Sequence, residues 1–149
     1  MKTLLDGLIC AYIDKAEDLP NTDSSKFNIS GSDLTDPYVT GQMGPVVLFK
    51  TKVINTTLNP SWKEKFTVLI CQETDNIKVK VRDKDQFSST RVGTVTFACE
   101  DLLDGKEIEG WFDVLKKQKS VGRLKMSIKF IAKDKTKNTP SEVCHYVNY

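Results

Sequence analysis

Two aspartates close an alternating run, IKVKVRDKDQFSSTRVG, that spans 77–93. Ile77, Val79 and Val81 alternate with Lys78, Lys80 and Arg82. In extended chain, residues two apart share a face. Asp83 and Asp85 therefore continue the parity of the apolar row. Two ionised carboxylates at the end of a core repel each other. A hard cation surrounded by oxygens would remove that repulsion. The alternative is that the aspartates cap turns through bonds to backbone amides.

Catalytic chemistry has little support. The one histidine, His145, stands in the tail, and no Ser-His-Asp or Cys-His arrangement accompanies it. The chain is expected not to be an enzyme. A helix–loop–helix calcium loop is excluded, because Phe87 and Ser88 stand where that repeat needs Asp or Asn and then Gly. Cys10, Cys71, Cys99 and Cys144 are scattered and fit no zinc spacing, so reduced thiols in a cytoplasmic protein are expected. The sequons at Asn28 and Asn55 then read as chance matches. Basic residues fall on strand faces without interleaved aromatics, which excludes nucleic acid as a partner.

The elements that would position the carboxylates are strands. Alternation recurs at 7–15, 37–42, 46–55, 64–71, 76–83, 92–98, 110–115 and 122–132, with a short helical turn at 100–104. Short strands between turn-rich segments predict an all-β fold, an eight-stranded antiparallel β-sandwich. The chain has 149 residues, of which 39% are hydrophobic and 28% charged, and a net charge of +2. That is enough for one domain, taken as 1–132, followed by a tail or linker at 133–149. The polar stretch 21–35 is too long for a plain connection. No run of about 18 apolar residues exists to span a membrane. Asp6 and Gly7 interrupt the apolar start, so it does not read as a signal peptide.

Three segments, each at a strand–loop junction, carry a resemblance. They are LPNTD…SDLTDPYV (19–39), LNPSWKEKF (58–66) and VRDKDQFSSTRVG (81–93). Together they resemble the signature segments of the C2 domain, a calcium- and phospholipid-binding β-sandwich. A first strand leading straight into the first loop, and a last strand GRLKMSIKF, resemble the type II topology. LLDGLICAYIDKAEDLPN and GKEIEGWFDVL are most similar to the amino-terminal C2 domain of plant-type phospholipase D. The His-x-Lys-x4-Asp repeats of that enzyme's catalytic part are absent here, so the resemblance implies a regulatory domain or a free-standing relative.

The resemblance implies Ca²⁺ as cofactor, with Asp36, Asp83 and Asp85 as ligands. Two further ligand positions of the family fall on Ser30 and Thr90; Asp33 or Asp23 could replace the first. Ca²⁺ takes 6–8 oxygens, and fewer carboxylates weaken a site, so dissociation constants of order 10⁻⁴ M are expected without lipid. FKTKVINTTLNPSW resembles the lysine-rich strand pair by which some C2 domains hold phosphoinositides. Lys50, Lys52, Tyr38 and Trp62 take the matching positions, and Lys63 and Lys65 add charge on the next strand. Trp62 also suits a core position, and that reading is the stronger. Phe87 at the tip of the third loop, with Phe27 and Ile29 in the first, could enter a bilayer. The implied function is a calcium-assisted phospholipid-binding module, monomeric, cytoplasmic and reversibly bound to anionic membranes. The alternative is a calcium-independent adaptor that binds anionic lipid or protein through its basic face.

Overall fold

The alternation becomes eight antiparallel strands in a computed structural model that describes residues 2–21, 34–85 and 89–133. They are β1 (Thr3–Glu17), β2 (Pro37–Met43), β3 (Val46–Lys50), β4 (Ser61–Thr74), β5 (Asn76–Lys84), β6 (Ser89–Ala98), β7 (Ile108–Lys116) and β8 (Lys119–Ala132). A short 3-10 turn covers Cys99–Leu102. The strand order is β3-β2-β5-β6-β7-β8-β1-β4. β6 and β7 pair only through Thr94 and Leu115, so the sheet folds there into two four-stranded leaves. β1 runs into the first loop and β8 lies beside it, which is the type II topology.

The core lies between the leaves. Ile9 and Ile13 of β1, Ile77, Val79 and Val81 of β5, and Leu124 and Ile128 of β8 are fully buried. Each such side chain contributes about 1.5–3 kcal/mol by leaving water. Close approach fixes two glycines. A Cβ on Gly41 would strike the Phe49 ring, and one on Gly93 would stand 2.6 Å from Val114 Cγ1, where β6 meets β7.

Two expectations change. The third strand stops at Lys50 rather than running to 55. The Thr51 hydroxyl accepts the Val39 N–H at 2.9 Å and donates to the Lys52 carbonyl, so a side chain replaces the ladder bond that would have extended the strand. The cysteines are not all reduced: Cys71 is disulfide-bonded, whereas Cys10 and Cys99 carry free thiols. Scattered spacing in the sequence conceals which thiols the fold brings together. Burial, and then the nearby Asp75 carboxylate, push the Cys99 thiol up to about 11. Asp23, Phe27, Ile29, Ser30, Asp33, Phe87, Cys144 and His145 lie outside the described residues.

Candidate functional site

The register of β2 on β5 sets Pro37 opposite Asp83, and so brings Asp36 beside Asp83. Asp83 is fully buried, as its parity predicted. A buried carboxylate is costly unless it is hydrogen-bonded. Here Asp83 Oδ1 accepts the Asp36 N–H at 2.8 Å. The Asp36 carbonyl in turn accepts the Lys84 N–H at 3.0 Å. Asp36 Oδ1 accepts the Thr56 N–H at 2.6 Å, and Thr56 has a left-handed φ of 56°. On β6 the register slips after Val81, so that Thr90 faces Asp83. Thr90 Oγ1 then donates to Asp85 Oδ2 at 3.0 Å.

Three remote segments thus meet at one pole. Asp36 and Asp85, with Val53, Asn55 and Lys84, line a cleft of about 360 Å³. The donors facing it are oxygens, the set a hard cation takes and a soft metal does not. The fit to Ca²⁺ is partial. One oxygen of each aspartate already serves as a hydrogen-bond acceptor. Among the described residues no group of three His, Cys, Asp or Glu side chains is arranged to hold a metal ion. Lys84 also brings positive charge into the cleft. Sequence reasoning missed Asn55 and Thr56: they belong to the β3–β4 connection, which only the fold carries to this pole.

The second feature is the outward face of the β3-β2-β5-β6 leaf. Thr40 of β2 stands between Lys50 of β3 and Lys80 of β5. In the next row Tyr38 pairs with Arg82, and Arg82 with Arg91 of β6. Lys50 Nζ lies 4.9 Å from the centre of the Tyr38 ring, a cation–π contact. The Lys80 ammonium is pushed below the usual lysine range, first by burial and then by Arg82, Arg91 and Lys78. Every charge that perturbs it is positive. Thr40 is 6% exposed, and its hydroxyl and the Gln42 amide oxygen have no hydrogen-bond partner among the described residues. The other leaf differs: there Arg123 bonds Glu17 at 3.0 Å and Lys125 stands 3.7 Å from Asp14.

The expected lipid-binding set does not stay together. Lys50 and Tyr38 lie on the basic face. Lys52 is exposed just beyond β3, and its N–H donates to Glu64 Oε2 at 2.9 Å. Lys63 and Lys65 are exposed on β4, in the other leaf. Trp62 is a core residue with 7% exposure, not part of the basic face. On β4 it shares its parity with Phe66 and Ile70, which face inward, so the intervening lysines must face out. Arg91 was missed altogether; a register slip, not sequence spacing, puts it opposite Arg82.

An antiparallel sandwich with an oxygen-lined loop cleft at one pole and a basic face on one leaf defines a class of module, one that meets charged surfaces. The family model described as "C2 domain" matches residues 7–114, and the chain belongs to the C2 domain family. Two similar curated relatives are from Arabidopsis thaliana. Phospholipase D delta is 35% identical over 81 residues, covering 54% of this chain and 9% of the relative. Phospholipase D gamma 1 is 30% identical over 128 residues, covering 75% and 15%. The chain therefore spans less than a fifth of those relatives' length. Among solved structures, a C2 domain of plant extended synaptotagmin 1 superimposes with a TM-score of 0.68 at 19% identity, covering 87% of this chain and 97% of that one. The calcium-bound pair of C2 domains of extended synaptotagmin 2 gives 0.71 at 19% identity, covering 86% and 46%. At that identity the likeness shows the fold.

Proposed function

We propose that this chain is a peripheral membrane-binding module that holds anionic lipid headgroups on its basic face, assisted by a Ca²⁺ ion in the loop cleft. The observation that carries the reading is the setting of Lys80. Its charge is crowded by three other cations, beside a buried Thr40 hydroxyl that lacks a partner among the described residues. Folding leaves this arrangement electrostatically unfavourable, and an anionic phosphate would relieve it by supplying negative charge and acceptor oxygens. Each lysine near an anionic leaflet contributes about 1 kcal/mol. Phosphoinositides, with several phosphates, suit the spread from Lys50 to Arg91.

Asp36, Asp83 and Asp85 are the residues that would hold the ion, with Asn55 as a neutral oxygen donor. Bound there, Ca²⁺ supplies positive charge at a pole that is otherwise acidic. Asp33 and Phe87 remain candidates for an added ligand and a membrane-entering tip. The module acts as a monomer at the cytoplasmic side of a membrane. Its similarity to phospholipases D supports a regulatory, non-catalytic role within such an enzyme.

A second reading is calcium-independent binding through the basic face alone. The hydrogen bonds that already occupy one oxygen of each aspartate favour it. Vesicle sedimentation separates the two readings. Vesicles of phosphatidylcholine with phosphatidylserine or a phosphoinositide should retain the protein, and Lys50→Ala with Lys80→Ala should weaken retention. EGTA releases the protein under the first reading only. Unchanged retention by the double variant would remove the basic face from the account.

A further inference from the structure

The turn that joins β7 to β8 carries the sequence LKKQKS, 115–120. Lys116 pairs with Lys119, so Lys117 and Gln118 alone make the turn of a tight hairpin. Both are left-handed, with φ of 52° and 67°. Two-residue hairpins of this kind favour Asn-Gly, because both central residues need positive φ. Lysine and glutamine adopt that conformation less readily. Backbone held in a costly conformation points to a use for the residues that hold it. Here the residue choice places charge at the apex.

Lys116, Lys117, Gln118 and Lys119 are all exposed. Among the described residues no carboxylate forms an ion pair with any of the three lysines. Asp113 is the nearest acid along the hairpin, and its Oδ1 accepts the Ser120 hydroxyl at 3.0 Å. Just below the lysines, Leu115 stands opposite Ser120 and is 45% exposed.

The hairpin reaches the pole that holds the carboxylate cleft. β7 is antiparallel to β6, which starts at that pole, so β7 ends there. The Leu115 carbonyl oxygen stands 3.0 Å from where a Gly93 Cβ would lie, and Gly93 pairs with Val81. Asp83 follows Val81 by two residues, roughly 7 Å along the strand. Lys117 follows Leu115 by the same number. The apex is therefore about level with the cleft. On β8, a Cβ at Gly122 would meet the Glu17 and Asp18 carbonyls at 3.0 and 3.1 Å, so the hairpin packs against the base of the first loop.

We infer that the β7–β8 hairpin is a second membrane anchor, separate from the basic face. Anionic phospholipid phosphates receive Lys116, Lys117 and Lys119, and Leu115 enters the boundary with the acyl chains. The inference rests on the membrane reading above and adds which end of the molecule meets the lipid. An apex of flexible ammonium groups suits a field of phosphates better than one shaped partner. Lysine stems cross an apolar boundary while their heads stay in the polar layer, and an exposed leucine beneath them supplies the apolar part of an interfacial site. The basic face belongs to the other leaf. A flat surface meets both anchors only when the pole points toward it.

The test uses the full chain and vesicles of phosphatidylcholine with phosphatidylserine, with phosphatidylcholine alone as the control. Each lysine replaced by Gln at 116, 117 and 119 should weaken sedimentation with the anionic vesicles about fivefold, and all three together roughly a hundredfold. Leu115→Ser should weaken it further. Lys117→Asn with Gln118→Gly gives the turn its favoured residues, so that variant should melt above the wild type yet bind the vesicles more weakly. Acetylation followed by mass spectrometry reads the contact directly. Anionic vesicles should slow the reaction of Lys117 several-fold and leave exposed Lys106, at the opposite pole, unchanged. If the wild type ignores anionic vesicles, the membrane reading falls and this inference with it. If the wild type binds and Lys50→Ala with Lys80→Ala weakens binding, but the triple Gln variant binds equally well, the anchor alone is overturned. Equal protection of Lys117 and Lys106, or tight binding by the triple variant to the vesicles together with loss of binding to an acidic protein, would also overturn it.

Discussion

Replacing Asp83 separates the structural work of this carboxylate from any work on a cation. Asp83 is fully buried, and its Oδ1 satisfies the Asp36 N–H at 2.8 Å. Asp83→Ala takes the acceptor from that part-buried amide, at a cost of about 1–3 kcal/mol. Loss of side-chain packing brings the total to about 2–3 kcal/mol. For a domain of this size each kcal/mol lowers Tm by about 3–4 °C, so a drop of roughly 6–12 °C is expected. Asp83→Asn keeps an oxygen that can accept the same N–H, and should lose no more than about 1 kcal/mol. Differential scanning calorimetry measures both. Titration calorimetry with Ca²⁺ then reads the other role: Asp83→Asn with Asp85→Asn should abolish the heat of ion binding while the fold persists. The reasoning fails if Asp83→Ala melts with the wild type, or if Asn costs as much as Ala. A calcium response that survives the double Asn variant would exclude both carboxylates from the ion site.

Lys80→Gln should melt at or above the wild-type temperature while binding anionic vesicles more weakly. Its folded pKa is depressed below the unfolded value, so between the two the unfolded chain binds more protons and stability rises with pH. That rise near the lysine range, followed by thermal melts, should shrink in Lys80→Gln; a steep loss of stability instead would mean the lysine is favourably paired. Gly93→Ala should destabilise by about 1–3 kcal/mol, because the new Cβ would meet Val114 at the joint between the leaves; a melt equal to wild type would mean that β7 yields freely. Cys99 should resist iodoacetamide at pH 8 in the folded protein, since burial holds its thiol up to about 11, whereas Cys10 should label faster. Equal labelling rates in mass spectra would contradict the burial.

Much of the architecture was legible because side-chain parity is a local property. Alternation in 76–83 and 122–132 defined strands that the structure extends by a few residues at their ends. The same parity put Asp83 on the core row before any fold was known, and put Lys80 and Arg82 on the opposite one. The end of β3 was not legible, because a single hydroxyl on Thr51 decided it by competing for a ladder bond.

The sequence by itself determined the strands, the two-faced character of each, and the three segments whose residues carry the family resemblance. Tertiary structure alone decided which side chains from different strands share a site. It drew Asn55 and Thr56 to the carboxylates, set Arg91 opposite Arg82, sent Lys63 and Lys65 to the other leaf, and gave Cys71 a disulfide partner. The reason is physical: the face a residue takes follows from its own backbone, but its neighbours across a sheet follow from register. One slipped residue in register changes those neighbours without altering a letter of the chain.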